Sequence, residues 1–249
     1  MTVSRVETLV IGAGSWGTAL ASLLARNGQP TCLWGRDEAR MAQIARTRCN
    51  DKYLPGIQLP EQLRVSADLE ASLAWAHDVL IAVPSQVFRT MLSEMASHLK
   101  PAARLAWATK GFEPATGALL HAVAHEVIGS RRAMAVLSGP TFAAEVAKGL
   151  PTALTVAATT ADFADDLAAR LHNDFFRAYT SADIAGVEVG GAVKNVLAIA
   201  AGVSDGLDYG ANARAALVTR GLTEIMRLGV ALGGQRETFM GLAGLGDLV

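Results

Sequence analysis

The chain has 249 residues, 51% of them apolar and 18% charged, with a formal net charge of −1; that length carries one large domain or two smaller ones with a sizeable core. A near-neutral balance excludes a basic nucleic-acid surface. Two cysteines without paired spacing, Cys32 and Cys49, exclude a disulfide framework and a zinc site and fit a reducing compartment.

Arg5 and Glu7 interrupt the short N-terminal apolar run, which therefore does not read as a signal peptide. The first informative stretch is 8–20, TLVIGAGSWGTAL. An apolar run ends at Ile11, glycines follow at Gly12, Gly14 and Gly17, and an Ala/Leu-rich helical pattern covers 18–26. G-x-G-x-x-G across a strand-to-helix turn is a dinucleotide-binding pattern. Gly12 lets the backbone bend, Gly14 lets a pyrophosphate approach the main chain, and Gly17 lets the helix sit close on the strand. The free N–H groups at the helix start favour phosphate charge. An ordinary glycine-rich turn is the bland alternative, and the strand–helix context argues against it.

The Asn27-Gly28 pair caps this helix, and Pro30 opens a second strand at 31–34, in which Cys32 is a small apolar filler. Arg36 and Asp37 follow. An arginine there suits the 2′-phosphate of NADP, whereas an acidic residue suits the ribose 2′-hydroxyl of NAD. Asp37 reads either that way or as a helix cap. The pattern favours NADPH, with NAD as the alternative.

A helix at 38–46 precedes a turn-rich surface loop at 49–56. A short strand at 63–66, a helix at 68–75, a buried strand at 78–83 and a helix at 87–99 come next. The strand at 104–108 ends in Thr109-Lys110-Gly111. Ligands of open α/β sheets gather beyond the carboxyl ends of strands, so Lys110 points at the crevice; a solvated loop lysine is the alternative. A helix at 116–128 and a strand at 134–137 lead into Ser138-Gly139-Pro140-Thr141. Pro140 suits a first helical turn, and Thr141 offers a hydroxyl beside the crevice. Strands at 154–157 and 175–179 flank a helix at 162–171. About eight strands alternating with helices predict a Rossmann-type, doubly wound α/β sheet over 1–182.

From residue 183 the pattern is helical, at 184–201 and 211–232, with a glycine-rich loop at 204–210. Residues 183–249 are expected to form an all-α catalytic domain. Lys194-Asn195 interrupts the most apolar helix, so no stretch reaches the ~20 uncharged apolar residues of a membrane span, and a cytoplasmic location is expected. A lysine in such surroundings either snorkels to water or has its pKa lowered by desolvation, and a near-neutral lysine exchanges protons. A lysine on a polar stripe is the plainer reading. Gly190 and Gly191 cost helix propensity and point to close approach of a ligand or another helix. Asp247, the only charge in 241–249, reads either as a hydrogen-bond partner of Lys194 or as a cap.

GAGSWGTAL, LWGRD, ATKG, SGPTFAAE, GAVKNVLAIAAG, GANARAALVTRGLTEI and GLAGLGDL, in this order, resemble the bacterial-type NAD(P)-dependent glycerol-3-phosphate dehydrogenases. The likeness runs from Val10 to the last residue. It implies an oxidoreductase that interconverts dihydroxyacetone phosphate and sn-glycerol 3-phosphate for phospholipid synthesis. The sequence does not reveal the oligomeric state; a homodimer is one assembly open to it. By motif the likeness implies that Ser15, Trp16, Arg36 and Ala143 join Gly12, Gly14 and Gly17 at the cofactor. Lys110 would touch cofactor and substrate, Gly139 and Thr141 would line the substrate site, and Lys194 would accept the proton. Asp247 would bind substrate or hold Lys194. In the family the chain continues past GLGDL through a Ser-Arg-Asn segment that holds the substrate phosphate. A truncated chain is therefore expected, better at binding cofactor than at turnover. Other dehydrogenases of this layout, of the 3-hydroxyacid or 6-phosphogluconate type, and a non-catalytic NADPH-binding module are the rival readings.

Overall fold

The computed structural model describes residues 5–247, with side chains to 246. Strands β1 (Thr8–Ile11) and β2 (Thr31–Trp34) bracket helix α1 (Ser15–Arg26). Helix α2 (Glu38–Thr47) leads to β3 (Cys49–Asn50), β4 (Leu54–Gln58) and β5 (Arg64–Ser66). Then come α3 (Leu69–Trp75), β6 (Asp78–Ile81), α4 (Phe88–Met95), β7 (Arg104–Trp107), α5 (Leu120–Ile128) and β8 (Met134–Ser138). Helix α6 (Ala143–Lys148), β9 (Thr152–Ala158), α7 (Ala161–Leu171) and β10 (Phe176–Ser181) close the α/β part. Helices α8 (Ile184–Gly206), α9 (Gly210–Ala231) and α10 (Arg236–Phe239) follow.

Eight strands form one sheet in the order β10-β9-β8-β7-β6-β1-β2-β5. Strands β8, β7, β6, β1, β2 and β5 are parallel, so their carboxyl ends share one edge. Helices cover both faces, which is why β1, β2 and β6 are buried throughout and read as unbroken apolar runs. Alternation sends Val10, Leu33, Leu80 and Ala106 into one core and Leu9, Cys32, Val79 and Trp107 into the other.

The sheet departs from the expected parallel winding at one edge: β9 runs antiparallel to β8, and β10 follows β9. The expected loop at 49–56 holds the β3–β4 hairpin instead. Asn50 fastens that hairpin to the glycine turn, donating to the Ala13 carbonyl at 3.1 Å and to Thr18 Oγ1 at 2.8 Å. The helix expected at 87–99 is a 3-10 turn, Ser85–Val87, followed by the shorter α4. The helix expected from 116 begins at Leu120, because Gly117 sits at φ +71° and Glu113 N–H closes a turn onto the Ala118 carbonyl. Pro140 lies in the loop before α6, whose cap is Phe142, and not in its first turn. Helix α8 runs on through Gly206; Asp208 (φ 53°) and Gly210 (φ +83°) make the turn that the glycine count placed earlier.

By length and composition α8 is apolar enough to cross a membrane, with a hydropathy of 1.5 over its best window. Its first half instead lies against β8 and β9 and carries the buried carboxylate of Glu188, as in the core helix of a folded domain.

At the amino-terminal edge of the sheet, Arg170 is fully buried. It pairs with Asp78 of β6 and donates to Thr8 Oγ1 at 2.9 Å, and its Nε lies 3.2 Å from Asp166. Arg104 pairs with the same two aspartates at 2.7 Å. Four charges from β6, β7 and α7 thus form one network. Removing Arg170 leaves the two aspartates with Arg104 alone, an excess negative charge beside the buried Asp78, at a cost of about 3–5 kcal/mol. Arg170→Met is therefore expected to lower unfolding free energy by about 3 kcal/mol in urea denaturation; a loss under about 0.5 kcal/mol would show that the network is dispensable.

Candidate active site

The site is built along the carboxyl edge of the parallel strands. After β1, Gly12 adopts φ +112°, and a Cβ there would overlap the Ala82 carbonyl oxygen. A Cβ at Gly17 would collide with the Gly12 carbonyl. Gly14 is different: among the described residues no atom lies within 4 Å of where its Cβ would be. Two glycines permit the turn and the third faces open space. Gly14 is the N-cap of α1, no side chain caps it, and the first turn carries no acid. Its N–H groups and dipole are therefore available to an anion. Ser15, the first helical residue, is exposed, and Trp16 is half-buried against the core.

A cavity of about 360 Å³ opens beside this turn, lined by Gly12, Gly14, Trp34, Arg36, Arg40 and Tyr53 among others. Asp37 caps α2 by accepting from Arg40 N–H at 3.0 Å, as one of its two readings expects. Arg36 is exposed and makes only a 3.8 Å ion pair with Glu94, of the kind worth about 0–1 kcal/mol. Arg40 stands 5.0 Å over the Tyr53 ring, and among the described residues its buried Nε has no hydrogen-bond partner. An open glycine turn at a helix start, an apolar-walled cavity and two guanidiniums at its rim fit an adenine dinucleotide carrying a 2′-phosphate.

The far wall of this cavity, Ala82 to Pro84, belongs to the end of β6. Thr109 Oγ1 donates to the Val83 carbonyl at 2.8 Å and ties it to the end of β7. Gly111 follows at φ +122°, facing Ser85. Between them, Lys110 Nζ donates to the Gly139 carbonyl at 3.1 Å, and Thr141 Oγ1 meets the same oxygen at 3.2 Å. Lys110, Gly139 and Thr141 are thus together. Gly139 is a glycine because β9 lies against it: a Cβ would stand 2.8 Å from Leu154 Cα. Ala143 opens α6, which rests on α1.

The Lys110 loop is held from behind. Glu113 is buried, and bonds from Arg89 and Thr116 keep its pKa down to about 2. Arg89 also clasps Glu126 of α5 at 2.8 Å.

Helix α8 completes the edge. A Cβ at Gly190 would run into the Ala243 carbonyl, so the close approach here is that of the C-terminal turn. A Cβ at Gly191 would stand 2.6 Å from Ser138 Oγ and 3.7 Å from Lys110 Cγ. The stem of Lys110 therefore lies beside α8, and Lys194, half-buried, is one turn further along the same helix face. Asp247 contributes backbone to the turn Leu245–Asp247, but its side chain lies outside the described residues. Among the described residues no His/Cys/Asp/Glu cluster could hold a metal ion.

Two family models match this chain: the NAD-dependent glycerol-3-phosphate dehydrogenase N-terminus over 7–164 and the corresponding C-terminus over 183–249. The chain belongs to this family. It is 60% identical over 245 residues to the glycerol-3-phosphate dehydrogenase [NAD(P)+] of Nitrosococcus oceani, covering 98% of this chain and 71% of that one. The Aeromonas hydrophila enzyme of the same name is 56% identical, with 98% and 74% covered. Among solved structures, glycerol-3-phosphate dehydrogenase of Coxiella burnetii superposes with a TM-score of 0.93 at 48% identity, over 98% of this chain and 74% of that one. The Saccharomyces cerevisiae enzyme gives 0.88 at 32%, with 98% and 76% covered.

Sequence reasoning missed several residues that line this edge. Arg40 and Tyr53 escaped because a helix and a hairpin bring them back to Arg36; the signal for Arg40 was its place one turn beyond it. Ser138, buried with an unpartnered hydroxyl among the described residues, escaped because its neighbour Gly191 is distant in sequence. Charged hydrogen bonds to phosphate are worth about 1.5–3 kcal/mol. Arg36→Ala and Arg40→Ala are each expected to weaken NADPH by about tenfold or more in fluorescence titration, with NADH changed less than about twofold; equal losses for both cofactors would remove the 2′-phosphate from this rim.

Proposed function

We propose that this chain reduces dihydroxyacetone phosphate to sn-glycerol 3-phosphate, and catalyses the reverse oxidation, with NADPH preferred over NADH. One observation carries the reading: the Lys110 stem lies against Gly191, one helical turn from Lys194, at the strand edge that also bears the open glycine turn. The family and the named activity of its relatives supply the substrate pair. The product is a precursor for phospholipid synthesis.

The reading assigns these roles. Gly12, Gly14 and Gly17 present the start of α1 to the pyrophosphate, with Ser15, Trp16 and Ala143 beside it and Arg36 and Arg40 at the 2′-phosphate. When bound, the nicotinamide supplies hydride to the carbonyl carbon. Lys110, already held to Gly139, places its ammonium between the two parts of the site. Thr141 and Gly139 bound the substrate. Lys194 gives its proton to the developing alkoxide in reduction and takes the hydroxyl proton in oxidation. Asp247 is assigned to steady Lys194 or substrate.

The reading divides the chain into a nucleotide-binding part, 1–182, and a helical part, 183–249. The last strand ends at Ser181, and Asp183 caps α8, accepting from Gly186 N–H at 2.8 Å, which supports the division. The free thiols of Cys32 and Cys49 support a cytoplasmic location. The exposed apolar stripe Val196, Ile199 and Val203 on α8 supports a second copy as partner.

NADPH oxidation with dihydroxyacetone phosphate, repeated with NADH, tests the activity. Lys194→Ala is expected to lower kcat by about 100-fold or more, with NADPH affinity within about twofold of the unsubstituted chain. Loss of cofactor binding together with turnover would make Lys194 a structural residue.

A further inference from the structure

Glu188 is a buried carboxylate that the reaction does not use directly. It sits on α8, six residues before Lys194. One of its oxygens accepts from Trp107 Nε1 at 2.9 Å and from the backbone N–H of His121 at 3.0 Å. The other lies 2.6 Å from His121 Nδ1. Trp107 is the last residue of β7, three before Lys110, and is fully buried edge-on to Phe88. His121 is in the first turn of α5. One carboxylate thus joins the helix carrying Lys194 to the strand that leads to Lys110 and to the opening of a third element.

A buried carboxylate is retained only with its hydrogen-bonding capacity met. Here every partner comes from the α/β part and the acceptor comes from the helical part. The bond to Trp107 joins α8 to the strand that leads to Lys110. The contacts at Gly190 and Gly191 let α8 approach but are not directional. Hydrogen bonds fix rotation and register, which smooth apolar contact does not.

We infer that Glu188 is a positioning residue: through Trp107 and the start of α5 it sets the rotation and register of α8, and so places Lys194 opposite Lys110. The inference rests on the functional reading above. A displacement of about 1 Å at a reacting group costs about 100-fold in rate, so loss of this anchor is read in kcat.

Two variants separate position from fold. Glu188→Ala removes all three acceptor contacts. Glu188→Gln keeps the acceptor for Trp107 and the α5 amide and offers N–H to neutral His121 at pH 8. Turnover is expressed per NADPH-binding site, counted by fluorescence titration, so that misfolded chains drop out. Glu188→Ala is expected to lose at least about tenfold in kcat per site, with the KM for NADPH within about twofold, and Glu188→Gln to keep kcat within about twofold. Unchanged kcat per site in Glu188→Ala, or equal loss in both variants, would overturn the inference.

A second readout needs no turnover. In the abortive complex with NADPH and sn-glycerol 3-phosphate, acetylation by acetic anhydride is followed at each lysine by mass spectrometry. The unsubstituted chain is expected to protect Lys110 and Lys194. Glu188→Ala is expected to keep protection at Lys110 and lose it at Lys194. Protection of Lys194 in that variant overturns the inference alone, whereas an unsubstituted chain that protects neither lysine overturns the functional reading and the inference with it. If Glu188→Ala yields no binding sites, Trp107→Phe decides: Lys194 acetylation at least about twofold faster supports the anchor, and an unchanged rate overturns it.

Discussion

The molecule depends on a missing side chain. At Gly191 the backbone of α8 comes so close to the ends of β7 and β8 that a methyl group would stand 2.6 Å from Ser138 Oγ. A glycine inside a helix costs about 1 kcal/mol relative to alanine, and α8 carries two in succession where it meets the sheet. The close approach lets a helix from the second part of the chain share a cleft edge with strands from the first. Without it Lys194, one turn beyond Gly191, would not reach the strand edge that bears Lys110 and the open turn at Gly14.

The remaining features divide the labour around that contact. Main-chain groups at the start of α1 are open to an anion, and they need no protonation state maintained. The guanidiniums of Arg36 and Arg40 stand at the rim of the cavity beside the glycine turn. The two lysines are held by what lies behind them. Lys110 rides on a loop whose base is Glu113, gripped by Arg89 and Thr116. Lys194 rides on a helix whose base is Glu188, bound to Trp107. In both cases a buried carboxylate does not touch the cleft but fixes the backbone that presents a cation to it.

The glycine turn, the order of strands and helices and Lys110 at a strand end were legible because each is local: a short apolar run, a fixed spacing, a single turn. Asp37 was ambiguous in sequence because a cap and a ribose ligand need the same side chain; the bond to Arg40 N–H shows the cap. The reversal of β9 was not legible, since a strand pattern carries no direction. The β3–β4 hairpin was hidden by turn-forming residues, and its stability comes from Asn50 reaching back to the glycine turn, a contact between distant residues. Glu188, Trp107 and Ser138 were invisible as a group for the same reason. Gly190 and Gly191 announced a close approach but not its partner, which is a carbonyl of the C-terminal turn and a serine at a strand end.

The central claim is that Lys110 and Lys194 face one another across a single cleft. A short amine-to-amine cross-linker applied to the free chain, with products mapped by mass spectrometry, tests it directly. The account predicts a Lys110–Lys194 cross-link that forms in the folded chain, disappears in urea and is suppressed by NADPH. Single-ended adducts at both lysines, with no link between them in the folded chain, would contradict it.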